Sequence, residues 1–154
     1  AAVHAGYARY RPRLLACGVS LSELRPSVTG SGTLQRVLSS GVSLHAKAIM
    51  VDRKVVLIGS MNLDPRSRQT NTEVAVLIDS AALGVELGRW FDEASSLERS
   101  YRPELTVAGD PIAPLVWTGR DDEQLQYYAT EPRTGWWQRF AAGLLGVLVP
   151  EDLL

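Results

Sequence analysis

The chain is poor in the residues that build metal centres and disulfides, with one cysteine and two histidines in 154 residues. A lone Cys17 excludes a disulfide within the chain and leaves the redox compartment open. His4 and His45 stand far apart in sequence with no clustered ligand spacing, so nothing here reads as a metal site. No apolar run approaches the ~20 residues needed to cross a bilayer, and no stretch reads as a signal peptide. Any membrane contact by this piece is therefore expected to be peripheral. Basic excess is missing too: 16 Lys and Arg against 17 Asp and Glu give a net charge of −1. That balance argues against non-specific nucleic-acid binding while leaving a local patch open. What the chain does have is 45% hydrophobic content and the length of one domain, enough for a sizeable core.

The densest chemistry begins at Leu44-His45-Ala46-Lys47. In a strand, alternation puts His45 and Lys47 on one face, a nucleophile or proton carrier beside a fixed positive charge, which suits a phosphate. If residues 45–51 and 55–62 are antiparallel strands joined at Arg53-Lys54, His45 stands opposite Asn62 and Lys47 opposite Ser60. Ile49, Met50, Val51, Val55, Val56, Leu57 and Ile58 are apolar on both faces, which predicts strands held between two layers. Arg53-Lys54 lacks the chemistry of a two-residue hairpin, so this register is conditional, and a shift of one residue would scatter the cluster. Asp52 falls on the other face and reads as a structural acceptor for turn amides or a nearby cation.

Together His45, Lys47, Asp52, Gly59, Ser60 and Asn62 spell His-x-Lys-x4-Asp-x6-Gly-Ser-x-Asn, which resembles the signature of the phospholipase D superfamily. The continuation Asn62-Leu63-Asp64-Pro65-Arg66-Ser67, with Asn71-Thr72-Glu73, resembles the second motif of bacterial cardiolipin synthases. Tyr7 to Pro26 is similar to the helix and strand entering that half, and Glu131 to Leu154 to the C-terminal end of cardiolipin synthase C-like proteins. The resemblance implies an α/β (α+β) half-fold: a mixed β-sheet flanked by helices, with a small C-terminal β-meander and a terminal helix. It implies a catalytic half-domain over 1–102 and an extension over 103–154.

In such a family His45 would attack phosphorus to form a phosphohistidine, with Glu73 orienting its ring. Lys47 and Asn62, with Ser60 less directly, would bind the non-bridging oxygens, and Arg66 is a candidate contact for a lipid phosphate. Asp52 and Gly59 would serve the motif structurally. No cofactor or metal enters this scheme. The implied substrate is a phospholipid, met on the cytoplasmic side of the bacterial inner membrane by peripheral contact.

The motif occurs once. His4, in Val3-His4-Ala5-Gly6, has no lysine two residues on, so the chain carries half a site. Either a second copy supplies the other half, or an N-terminal half with its own His-x-Lys-x4-Asp does; the second is expected, because the resemblance is to the second half of two-motif enzymes. Three readings follow: a cardiolipin synthase-like phosphatidyltransferase, a hydrolytic phosphodiesterase or nuclease active as a homodimer, and a catalytically silent binding domain.

Around the motif, Ala1 to Ala16 reads as a helix closed by Gly18, and Val19 to Leu24 as a strand. Pro26 to Gly41, with Thr29-Gly30-Ser31-Gly32, reads as a loop. Glu73 to Ile78 reads as a strand, followed by a helix capped at Asp79-Ser80 and running to about Arg99. Leu83, Leu87, Trp90, Phe91, Ala94 and Leu97 recur at helical spacing, which predicts core. Leu105–Ala108, Leu115–Thr118 and Leu125–Ala129 read as short strands broken at 109–111 and 119–122. Trp136 to Val149 is an apolar terminal element, suited to docking on the catalytic domain or to a membrane interface.

Overall fold

A computed structural model describes residues 2–25 (backbone alone for 2–5), 46–62, 67, 69 and 71–132. His45, Arg66, the 26–41 loop and the 136–149 element lie outside the described residues. Among them stand two helices, α1 (Ala2–Ala16) and α2 (Ala81–Ala94), and seven strands. The strands are β1 (Glu23–Leu24), β2 (Ala48–Val51), β3 (Val55–Gly59), β4 (Ala75–Asp79), β5 (Ser100–Leu105), β6 (Leu115–Asp121) and β7 (Gln124–Tyr128). They form one sheet of order β2-β3-β4 and another of order β1-β5-β6-β7. This is the α+β architecture the resemblance implied, with antiparallel pairing from β2 through β4 and from β5 through β7. The chain divides into two compact units, 24–99 and a second made of 1–23 and 100–154.

In the second unit α1 ends as expected. Gly18 adopts φ +84°, and its N–H bonds the carbonyl of Leu15 while Val19 N–H bonds that of Leu14, the paired closure of a helix turning left-handed at its end. The meander that α1 packs against buries Tyr101, Pro103 and Trp117. The first strand lies earlier than predicted, at Ser100–Leu105 rather than Leu105–Ala108, and β6 runs on past Thr118. The β6–β7 turn is made by Asp122 (φ 47°) and Glu123 (φ 66°), and Gly119, Arg120 and Asp121, read from sequence as a break, lie inside β6. Two adjacent left-handed residues match the twist of a two-residue hairpin, and the short carboxylate side chain of Asp122 tolerates that region.

In the 24–99 unit the register departs from expectation by one residue. Val51 pairs with Val55, Ile49 with Leu57 and Ala48 with Ile58. The turn is centred not on Arg53-Lys54 but on Asp52 (φ 52°) and Arg53 (φ 51°), closed by Lys54 N–H to the Val51 carbonyl at 3.0 Å. Lys54 is thus an extra residue before the ladder resumes, and its carbonyl accepts the N–H of Ser80 at 2.9 Å, at the start of α2. Asp52 owes its place to the left-handed backbone. The bond that closes this turn is the one between backbone groups, Lys54 N–H to the Val51 carbonyl.

Helix α2 starts where predicted, with the Ser80 hydroxyl accepting the N–H of Leu83 at 3.3 Å, and it stops at Ala94 rather than near Arg99. Its contact face is lined by Gly84 and Gly88, against which the Arg53 turn lies directly: a Cβ at Gly84 would strike the Arg53 carbonyl, and one at Gly88 the Arg53 guanidinium. Arg53 runs on along this groove to Asp92, 2.9 Å away. Leu83, Leu87 and Ala94 are half-buried, whereas Trp90 and Phe91, predicted as core, are exposed. Small residues let the backbones approach, so glycines rather than aromatics make this interface. Val56 is fully buried, yet Ile49, Val51, Ile58, Val76 and Leu77 are exposed, so the described residues do not sandwich the sheet as expected.

Candidate functional site

Gly59 is the hinge of the site. A Cβ there would stand 2.5 Å from the Val74 carbonyl and 2.8 Å from the Ala75 Cβ, so only glycine lets the end of β3 lie this close to the segment entering β4. Lys47 sits opposite it, its carbonyl accepting the Gly59 N–H at 3.2 Å. The corrected register therefore separates Lys47 from Ser60, which sequence reasoning had set face to face.

Ser60 turns instead to β4. Its N–H bonds the Val74 carbonyl at 2.9 Å, its hydroxyl accepts the Val74 N–H at 3.1 Å, and the same hydroxyl donates to Glu73 Oε2 at 2.5 Å. The other Glu73 oxygen accepts from Asn71 Nδ2 at 3.3 Å. Asn71 stood in the quoted run without a role; its two-residue spacing from Glu73 was the only signal. Asn62 is anchored through its backbone N–H, which donates to the Ser67 hydroxyl at 3.2 Å, and Ser67 is buried.

Beyond Gly59 the β2–β3 pairing ends, and Asn62 and Lys47 meet only through a shared cavity. Both line one cavity of about 280 Å³ with Ile49, Leu57, Met61 and Ala75. The site residues thus fall into two linked sets: Lys47 with Asn62 at the cavity, and Ser60 with Glu73 at the β3–β4 edge. The first set offers an ammonium and an amide donor to an anion. The second is a carboxylate held by two directional donors, able to orient a further hydrogen-bonding group. Asp52, at the far end of the hairpin, joins neither. Among the described residues no three His, Cys, Asp or Glu side chains gather into a set that could hold a metal ion.

The model of the cardiolipin synthase PLD-like domain matches residues 8–95. Across its whole length the chain is 38% identical to cardiolipin synthase C of Escherichia coli K12, of which it covers 32%. It is 40% identical over 78 residues, 51% of its length, to an uncharacterized protein of Helicobacter pylori strain 26695, covering 15% of that protein. Over 67 residues, 44% of its length, it is 39% identical to cardiolipin synthase A of Cronobacter sakazakii, covering 14%. The chain thus spans about a third or less of each of these relatives. No solved structure gives a significant match.

Proposed function

The chain belongs to the cardiolipin synthase PLD-like domain family, and from that membership we propose that it is the C-terminal half of a phosphatidyltransferase working through a phosphohistidine. The observation that carries this reading is the cavity that Lys47 and Asn62 both line, which gives one pocket a cation and a directional donor suited to a phosphodiester. The whole-length similarity to cardiolipin synthase C supports a phospholipid as substrate.

In this reading His45 attacks phosphorus, and the leaving alcohol takes a proton from a histidine of a second motif. An acceptor alcohol, the headgroup glycerol of another phospholipid, then attacks the phosphohistidine and regenerates the imidazole. Lys47 and Asn62 stabilise the charge on the non-bridging oxygens. Glu73, held by Ser60 and Asn71, orients the ring of His45. The second motif comes from an N-terminal half or from a second copy of the chain, and the protein meets its lipid by peripheral contact on the cytoplasmic face of the inner membrane. No helix among the described residues is long and apolar enough to cross a membrane.

The test uses the full-length protein with phosphatidylglycerol vesicles. His45→Ala should abolish turnover and the acid-labile phosphoenzyme trapped on quenching, and Lys47→Ala should lower kcat by at least a hundredfold. Turnover in the His45 variant would overturn the nucleophile assignment. Products identify the acceptor: cardiolipin and glycerol for transfer, phosphatidic acid for hydrolysis by water.

A further inference from the structure

The cavity lined by Lys47 and Asn62 is otherwise lined by apolar residues, and its apolar wall continues onto an open sheet face. Ile49 pairs with Leu57 and Leu57 with Leu77, so the three form one row across β2, β3 and β4, two residues along from the Lys47–Gly59–Ala75 row. Ile49 is 44% exposed and Leu77 69%, and Met61 at the cavity mouth is exposed as well. Exposed side chains of this size, contiguous with a cationic anion site, are costly in water unless something apolar covers them.

The geometry points to Ile49, Leu57 and Met61 as the seat of the apolar part of the diester whose phosphate lies at Lys47 and Asn62. This rests on the phosphodiester reading and deepens it. The occupant has two parts in the order the cavity demands: an anion beside the ammonium, then methylenes running over the Ile49–Leu57 row toward Leu77. About 280 Å³ falls just below the range of ligand cavities, ~300–1,000 Å³. It takes the phosphate, the glycerol carbons and the start of a chain. The remaining chain would lie along the open row. A diester without chains gains nothing from this wall, so the wall is a specificity element.

The test compares phosphatidylglycerol in mixed micelles with glycerophosphoglycerol, the same diester stripped of its acyl chains, using the full-length protein. Ile49→Thr keeps the β-branched shape of a strand residue and Met61→Gln keeps length; both sites are exposed, so folding is not at stake. In the double variant the ratio of kcat/KM for the acylated over the deacylated diester should fall about tenfold, carried by KM. An unchanged ratio overturns the inference, whether both substrates fall together, as they would if a second copy of the chain covered this face, or neither changes. Lys47→Ala separates the two levels. If it abolishes turnover of both diesters while the double variant leaves their ratio intact, the phosphodiester reading stands and the apolar seat fails. If it affects neither diester, both readings fail.

Discussion

The Ser60 hydroxyl donates to Glu73 Oε2 at 2.5 Å and accepts the N–H of Val74 at 3.1 Å, so one side chain fixes both a carboxylate and the start of a strand. Ser60→Ala deletes both bonds at once. Because the site is exposed, the stability cost should be modest, about 1 kcal/mol by urea titration. The effect on turnover should be larger in proportion: a fall of about tenfold in kcat with KM little changed, the equivalent of ~1.4 kcal/mol. Ser60→Thr keeps the hydroxyl and should recover most of it. Equal kcat values for the Ala and Thr variants would show that Ser60 does not position Glu73.

Gly84 and Gly88 face the same arginine but should answer differently to alanine. In an open helix either change would help by ~1 kcal/mol. At Gly84 the new Cβ meets the Arg53 carbonyl and the Lys54 nitrogen, backbone atoms fixed by the turn, so overpacking of about 1–3 kcal/mol should dominate. At Gly88 it meets the guanidinium, which can swing aside at the expense of an exposed pair with Asp92, worth at most about 1 kcal/mol. Denaturant midpoints should therefore drop clearly for Gly84→Ala and stay near the parent for Gly88→Ala. A stabilised Gly84→Ala would contradict the close approach of turn and helix.

That turn marks how far the sequence could be read. The Gly18 stop and the Ser80 cap were legible, because each depends on chemistry within a few positions of itself. The hairpin register was not. It depends on Asp52 and Arg53 both adopting positive φ, and no local preference of arginine predicts that. The Arg53 conformation is held by tertiary contacts, the glycine face of α2 and Asp92, which lie about thirty to forty positions on. The misplacement of Ser60 opposite Lys47 followed from that one-residue difference. Trp90 and Phe91 fit a helical period equally well as core or as an exposed flank, and periodicity alone could not see that the contact face is made of glycines.

Arg11 carries a cost that its position in a polar-looking helix hides. It is 2% exposed, its Nε stands 2.9 Å from Glu23 Oε1 and both its terminal nitrogens lie 3.3 Å from Glu131, between the rings of Tyr7 and Trp117. Arg11→Met fills much of the volume but leaves two carboxylates facing each other without their cation. Loss of one partner of a buried pair costs about 3–5 kcal/mol, so this variant should unfold far earlier than Gly84→Ala. Adding Glu23→Gln to Arg11→Met should recover part of the loss, since it removes one uncompensated charge. Strictly additive losses in a double-mutant cycle would deny the coupling.

Tyr7 turns the same cluster into a measurable dependence on base. Its hydroxyl donates to Glu23 Oε1 at 2.9 Å, and its pKa is pushed up to about 12 from 10.0, first by burial and then by the negative charge of Glu23. A raised pKa in the folded state means the neutral phenol is favoured on folding. The stability this brings is complete below pH 10, where the phenol is neutral in both states. It is lost as pH climbs toward 12, because the unfolded chain releases the proton first and ionisation pulls the equilibrium toward it. Ultraviolet titration should show Tyr7 ionising late, and the midpoint of urea unfolding should slope downward with pH over that window. Tyr7→Phe should remove the late titration and flatten the slope while lowering stability at neutral pH, where the bond to Glu23 is missing. A slope that survives in Tyr7→Phe would assign the dependence to another group.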